Sequence, residues 1–384
     1  MSRRRFGRIR QLPSGRYQVR HPDGAGGLVT APRTFATRAE AERHLAAIET
    51  DQSRGTWSDP RRGRIRLDEW AEQWWATTVN LRPSTRARDR GYVNRYILSE
   101  LGQYPLGDIT QLQVRAWVAG LAGRGSGDDT RRSLSPATVR KAYGLLAKML
   151  SAAVDAELIA KSPCQRVPVP RVERHEMRFL TSAEIAELAG AIDERYRALV
   201  LVGAYCGLRI GELAGLKRSR VNLLRRRLEV VEILVEAEGQ LYTGPPKTSA
   251  GRRAVGIPEP VAAELEEHLA RFAGTELVFP GPGGGPLRGA AWRSRFWHPA
   301  VERAGLAPLR PHDLRHTAVA LWIAQGANPK QIAARAGHSS VSFTLDRYGH
   351  LFDDADDALM AGLADAYVRP SSPALGAVVD LAQT

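Results

Sequence analysis

The sequence predicts a multidomain α+β protein with a small β-β-β-α module, a four-helix module, and a larger, mainly α module holding a small antiparallel sheet. Three observations predict it. A length of 384 residues, at roughly 150 per domain, leaves room for two or three domains. The cationic excess is concentrated at one end, with 15 arginines against six acids in residues 1–66. A proline-rich stretch near residues 163–178 separates a purely helical pattern from a mixed one.

In residues 1–60, strands Arg8–Leu12 and Gln18–Arg20 flank the turn Pro13-Ser14-Gly15, and a third strand is expected at Val29–Phe35. Thr37, with Glu40 three residues on, forms a capping box for a helix that carries Ala41, Leu45 and Ile48 toward Ser53. Residues 66–162 read as four helices, Leu67–Val79, Thr85–Leu98, Thr110–Ala122 and Pro136–Ala156, with Thr110 and Gln113 as a second capping box. The stretch Gly123–Leu134 reads as a flexible loop. Residues 163–178 are a linker, since Pro163, Pro168 and Pro170 block helix continuation. The third module, 179–352, opens with a helix capped by Thr181 and Glu184. Strands Leu228–Val235 and Arg253–Ile257 flank a loop that contains Lys247, and helices alternating with Gly/Pro loops follow. Residues 353–384 form a tail with an Ala-rich helix.

The net charge of +14 and a pI near 10.3 predict attraction to a polyanion or an anionic membrane. The longest apolar run, Ala198–Leu208, is bounded by Arg197 and Arg209 and falls short of the ~20 residues that cross a bilayer. No apolar segment follows Met1-Ser2-Arg3-Arg4-Arg5, so a cytoplasmic protein without a membrane partner is expected. Cys164 and Cys206 stand alone, which excludes a disulfide scaffold and a thiolate zinc site. Phosphate-loop, HExxH and GxSxG motifs are missing. The dense acids Asp353, Asp354, Asp356 and Asp357 sit at an expected helix start, where the dipole favours them, so no metal is expected. Nucleic acid is therefore the expected partner. The candidate contacts are Arg16 and Arg20 in the sheet module and Arg82, Arg86 and Arg90 on the second helix.

The chemistry-bearing residues lie in the third module. Arg209 follows a buried-looking run, and Glu212 is placed to orient its guanidinium. His312 and Arg315 lie one helical turn apart, so both can face one phosphate. Two arginines so arranged would clamp its non-bridging oxygens and stabilise a pentavalent transition state. Spacing does not separate His312 from His316, which share a helix face. Arginine supplies all but six of the 55 basic residues, so each lysine, Lys247 among them, raises the question of why that residue type was kept. Tyr348, beside Gly349 in a polar segment, is unlike Tyr143, Tyr196 and Tyr205, which sit in helical runs.

Arg209 in GLRIGEL, Lys247 in PPKTSAGRRAVGIP, the box PHDLRHT at 311–317, GHSS at 337–340 and TLDRYGH at 344–350 resemble the successive signature boxes of the tyrosine recombinase family, in its phage-type integrase branch. Residues 66–162 resemble that family's core-binding domain. Residues 1–60, through GRYQVRHPDG and TFATRAEAERHL, resemble its arm-type DNA-binding domain. The resemblance implies a tyrosine recombinase catalytic fold over 179–352 and a 3′-phosphotyrosyl intermediate formed by Tyr348. Lys247 would protonate the leaving 5′-oxygen, Arg209 and Arg315 would clamp the phosphate, His312 would assist proton transfer, and His338 would bond a phosphate oxygen. The box selects His312 over His316. No cofactor or metal is implied. The implied partners are double-stranded DNA with core and arm-type attachment sites, a homo-tetramer on that DNA with the tail docked on a neighbour, and a DNA-bending or directionality factor. Two other readings share these residues: a type IB topoisomerase-like nicking enzyme, and a catalytically inactive DNA-binding regulator of the same fold.

Overall fold

The computed structural model describes residues 6–352 apart from 24–26, 55, 56, 58, 60, 124–133, 174–176 and 238, together with 360, 363–365 and 367. The acid cluster at 353–357, most of the tail and nearly all of the expected loop at 123–134 lie outside the described residues. The chain divides into two compact units, Met1–Arg174 and His175–Thr384.

In the first unit, β1 (Arg8–Gln11), β2 (Tyr17–Pro22) and β3 (Leu28–Thr30) form an antiparallel sheet in that order. Strand alternation turns Val19 inward against Ala41 and Leu45 of α1 (Arg38–Ser53), with Ala31 and Phe35 completing that small core. The opposite face is cationic: Arg8 lies across from Arg20, and Arg8, Arg10 and Arg20 are all exposed. The third strand ends earlier than expected. Pro32 has no N–H to give a ladder, and only an isolated bridge, Tyr17 to Phe35, continues the pairing. The Thr37–Glu40 capping box forms as read.

The same unit holds α2 (Leu67–Thr77) and α3 (Pro83–Tyr92), which runs through a π-type segment, Val93–Leu98, into α4 (Ser99–Leu101). Then come α5 (Gln111–Gly123) and α6 (Pro136–Asp155). α3 starts at Pro83, two residues before the expected Thr85, because proline is preorganised for the first helical position. The core is built on Trp70, Trp75, Ile97, Trp117, Leu146 and Met149. The buried indole N–H of Trp70 donates to the Met149 carbonyl at 2.9 Å.

The second unit begins with α7 (Ser182–Ala191), which carries the Thr181–Glu184 capping box, and α8 (Glu194–Cys206), which is apolar nearly all round and therefore central. α9 (Ile210–Ala214), β4 (Val221–Asn222), β5 (Arg227–Val230), β6 (Ile233–Ala237), β7 (Gln240–Gly244) and β8 (Arg253–Gly256) follow. The single strand expected over Leu228–Val235 is in fact two. β5 joins the sheet β4-β5-β8, whereas β6 leaves it to pair with β7. No glycine or proline marks that break, and β7 went unpredicted. α10 (Glu259–Arg271), α11 (Gly289–Trp292), α12 (His298–Arg303), α13 (Asp313–Ala324), α14 (Pro329–Ala336) and α15 (Val341–Tyr348) complete the unit.

Candidate active site

Three helix ends of the second unit meet at one place. α8 stops at Gly207, whose φ of 69° is left-handed, and a Cβ there would stand 2.6 Å from the Trp322 ring. Only glycine lets the chain turn so tightly against that indole, and the turn delivers Arg209 to the start of α9. α14 ends at Gly337, also left-handed, where a Cβ would lie 2.9 Å from the Ala250 carbonyl. That turn presents the Gly337 carbonyl and His338. α13 starts on a carboxylate clasp, with Asp313 accepting from the Arg310 backbone N–H at 2.8 Å. Its first turns carry Arg315 and His316.

Arg315 is 2% exposed. Its Nη1 donates to the Gly207 carbonyl at 2.8 Å and its Nη2 to the Ala336 carbonyl at 2.5 Å, so its fork ties the end of α8 to the end of α14. Burial, then the Arg209 charge, pushes its pKa down to about 9. It remains a cation at neutral pH. Arg209, partly exposed, donates through Nη1 to Glu212 Oε1 at 2.8 Å and through Nη2 to the Gly337 carbonyl at 3.3 Å. The expected orienting role of Glu212 is thus visible in the geometry.

A second arginine also uses that carboxylate. Arg253 donates through Nη1 and Nη2 to the two Glu212 oxygens at 3.1 and 3.0 Å, and its Nε donates to the Arg335 carbonyl at 2.6 Å. Burial raises the Glu212 pKa, but hydrogen bonding to Arg253, its charge and Arg209 outweigh this and hold the carboxyl below its usual range. With the folded-state pKa depressed, the associated stability is present above the unfolded value near 4.3 and is lost as pH falls through the folded value. Glu212→Gln is expected to destabilise the protein by about 3 kcal/mol at pH 7, because it leaves Arg253 buried without a counter-charge. Urea unfolding of the two proteins checks this, and their difference should shrink below pH ~4.

The histidines are kept neutral. Burial comes first in each case: His316 is lowered to about 4 with help from His312 and Arg347, and His338 to about 3 with help from Arg315 and Arg209. His312, exposed beside them, is lowered by desolvation and then by Arg315 and Arg209. His338 Nδ1 pairs with the Thr344 hydroxyl at 2.8 Å.

Tyr348 ends α15 but does not lie in a polar segment, as its sequence neighbours suggested. It is 1% exposed, packed with Ala318, Val319, Trp322, Ile332 and Ala336. Its hydroxyl lies 2.7 Å from His316 Nδ1, and its ring stacks near-parallel on His338 at 6.3 Å. Burial raises its pKa, while Arg315, Arg347 and Arg209 pull the other way.

Lys247 is exposed on the segment between β7 and β8 rather than at the tip of a hairpin, because those strands belong to different sheets. It lines a cleft of about 270 Å³ with Arg209, Glu212, His338 and Phe343. The structure thus gathers Arg209, Glu212, His312, Arg315, His338 and Tyr348, with Lys247 at the edge of the cleft. Arg253 and Thr344 belong to the same constellation and were not singled out from the sequence, and so does His316, which spacing left level with His312 and the family box set aside. The candidate DNA-contact arginines are less uniform. Arg16 is bonded to Thr34 through Nε at 2.7 Å and Nη2 at 2.8 Å, Arg90 pairs with Glu72 at 2.9 Å, and Arg86 reaches the Trp75 carbonyl at 3.4 Å. Arg82 precedes α3 at its N-cap. Arg20, by contrast, sits on the open cationic face beside Arg8 and Arg10.

The model described as the Phage integrase family matches residues 178–354, that of the Phage integrase N-terminal domain matches 5–54, and that of the Phage integrase N-terminal SAM-like domain matches 66–122. A prophage phiRv2 integrase of Mycobacterium tuberculosis is 32% identical over 373 residues, covering 94% of this chain and 96% of that protein. Among solved structures, the Tn1549 transposon integrase in complex with a circular intermediate DNA matches with a TM-score of 0.65 and 21% identity, over 78% of this chain and 99% of that one. The lambda integrase tetramer bound to a Holliday junction matches at 0.56 and 18%, over 88% and 97%. Signature boxes, a shared fold and a relative aligned along nearly its whole length agree, and the chain belongs to the phage integrase family of tyrosine recombinases.

Proposed function

We propose that this site-specific integrase cleaves and rejoins double-stranded DNA through Tyr348. The phenolic oxygen attacks the scissile phosphorus, forming a 3′-phosphotyrosyl ester and breaking the bond to the 5′-oxygen, which takes a proton from Lys247. Arg209 and Arg315 hold the non-bridging oxygens and offset the charge that builds on them. His338 donates to one of those oxygens, and His312 assists proton transfer. The ester conserves the energy of the broken bond, so a second 5′-hydroxyl reverses the step. The observation that carries this reading is the convergence of the Arg209 and Arg315 guanidinium groups, neutral His316 and His338 and the Tyr348 hydroxyl, beside a cleft lined by Arg209, Lys247 and His338.

The reading extends to domains and partners. Residues 1–60 bind arm-type sites through the cationic outer face of the sheet, 66–162 bind the core site, 163–178 link these to the recombinase domain at 179–352, and 353–384 dock on a neighbouring protomer. Four protomers assemble across two duplexes, by likeness to the lambda integrase tetramer on a Holliday junction. Among the described residues no helix is long and apolar enough to cross a membrane, and a DNA substrate supports the reading that the integrase acts in the cytoplasm.

The test is a suicide duplex taken from the DNA that flanks the integrase's own coding region, nicked beside the cleavage point, and incubated in EDTA. A covalent adduct whose digestion maps the DNA to Tyr348 is expected. Adduct formation at another tyrosine, or none on that DNA, would overturn the reading.

Thr344 offers a finer check. If its hydroxyl donates to His338 Nδ1, the ring proton sits on Nε2, the form that can donate to phosphate. Thr344→Val is expected to slow adduct formation about 5- to 10-fold, the worth of one buried hydrogen bond. Thr344→Ser should recover the rate.

A further inference from the structure

We propose that His316 accepts the phenolic proton of Tyr348 through Nδ1 as the tyrosine attacks. This assignment rests on the recombinase reading and deepens it. The contact that carries it is direct: His316 Nδ1 lies 2.7 Å from the Tyr348 hydroxyl, with both side chains buried. His312 and Arg315 are set elsewhere. The His312 ring meets His316 edge-on at 4.8 Å and its residue is the more exposed of the two, which makes it the exit for the proton rather than its first receiver. For Nδ1 to accept, the ring proton must reside on Nε2.

The surroundings explain why the ring waits neutral and then becomes a base. His312, Asp313 and Arg315 face it from α13 and the turn before it, His338 from the turn after α14, and Arg347 from α15. Asp313 favours the imidazolium, but burial and the cations oppose it, so in the free protein Nδ1 keeps its lone pair aimed at the tyrosine. A phosphate bound between Arg209 and Arg315 cancels the charges that oppose protonation, and the negative charge that grows on the phosphorane favours an imidazolium nearby. The base is therefore switched on by the substrate it serves. In balance, the Tyr348 Oη–P bond forms and the P–O5′ bond breaks, while one proton moves from Oη to His316 and one from Lys247 to the departing oxygen.

The experiment measures adduct formation on the nicked suicide duplex, made with an ordinary 5′-oxygen or with a bridging 5′-sulfur, which leaves without a proton. At pH 7, His316→Ala should form adduct about 100-fold more slowly than wild type while binding the duplex equally well. The bridging sulfur should restore Lys247→Ala but not His316→Ala. The His316→Ala rate should climb tenfold per pH unit between pH 6 and 8, below the ionisation of tyrosine, with wild type flat over that range. His316→Asn, which places an oxygen near the Nδ1 position but accepts no proton, should be as slow as His316→Ala and be rescued by pH in the same way, and it keeps the test valid if the alanine variant fails to fold. Wild-type rates in His316→Asn, rescue of His316→Ala by the sulfur, or faster cleavage without the imidazole would each overturn the assignment. If wild-type protein forms no adduct, the proposed chemistry fails first and this assignment falls with it.

Discussion

Tyr348→Phe is expected to bind the attachment-site duplex with wild-type affinity and to form no covalent adduct at any time of incubation. The substitution removes one oxygen and keeps the ring. That ring packs on Val319, Trp322 and Ile332 and stacks on His338, so the end of α15 should stay docked. The cost is the hydrogen bond to His316, about 1 kcal/mol of stability. The nearby Thr344 hydroxyl is no substitute, since it already pairs with His338. Gel shift at fixed salt measures binding, and a denaturing gel counts adducts. An adduct that survived the substitution would move the nucleophile elsewhere. Burial also says something about how the nucleophile is reached. Val341, Phe343 and Leu345 of α15 are exposed, and only Thr344 and Tyr348 of this helix are buried. A helix held by so little apolar surface can shift slightly at modest cost, enough to admit a phosphate to the hydroxyl while the His316 contact is kept.

Much of the fold was legible because its punctuation is local. The capping boxes at Thr37–Glu40, Thr110–Gln113 and Thr181–Glu184 form as read, since each depends on four consecutive residues. What was not legible depends on register and long-range packing. Arg252 and Arg253 are adjacent and chemically identical. Strand alternation sends one inward, and which one is decided by the pairing of Arg253 with Val230 of β5. The break between β5 and β6 is likewise a choice of partners rather than of residues. Tyr348 looks exposed beside Asp346, Arg347 and Gly349, but its burial comes from α13 and α14. His312 and His316 are equivalent at i,i+4 spacing. Helix position separates them, with His312 at the exposed N-cap of α13 and His316 one turn inside.

Arg315→Lys is expected to lower the rate of adduct formation about 10³-fold at pH 7.5, with DNA affinity changed less than about threefold. The reasoning begins with geometry. The Arg315 fork satisfies two helix-end carbonyls, Gly207 and Ala336, at 2.8 and 2.5 Å and still has N–H groups to offer an anion. A lysine ammonium is a single point, and it cannot hold two carbonyls on different helices and also face a phosphate. Charge adds to this. The burial and neighbouring cations that bring the guanidinium down to about 9 would act on an ammonium that begins near 10.4, leaving much of it uncharged at pH 7.5. Because a lowered lysine is charged only below its own pKa, the residual activity of the variant should rise as pH is lowered from 8 to 6. Wild type, whose arginine stays protonated throughout, should not share that rise. DNA affinity is largely spared because a buried side chain adds little to the long-range attraction exerted by the many surface arginines. Gel shift and single-turnover adduct formation across that pH range separate the two effects. A lysine variant within tenfold of wild type at pH 7.5 would show that the charge on the phosphate is met by other groups, with Arg209 and Lys247 the first to examine.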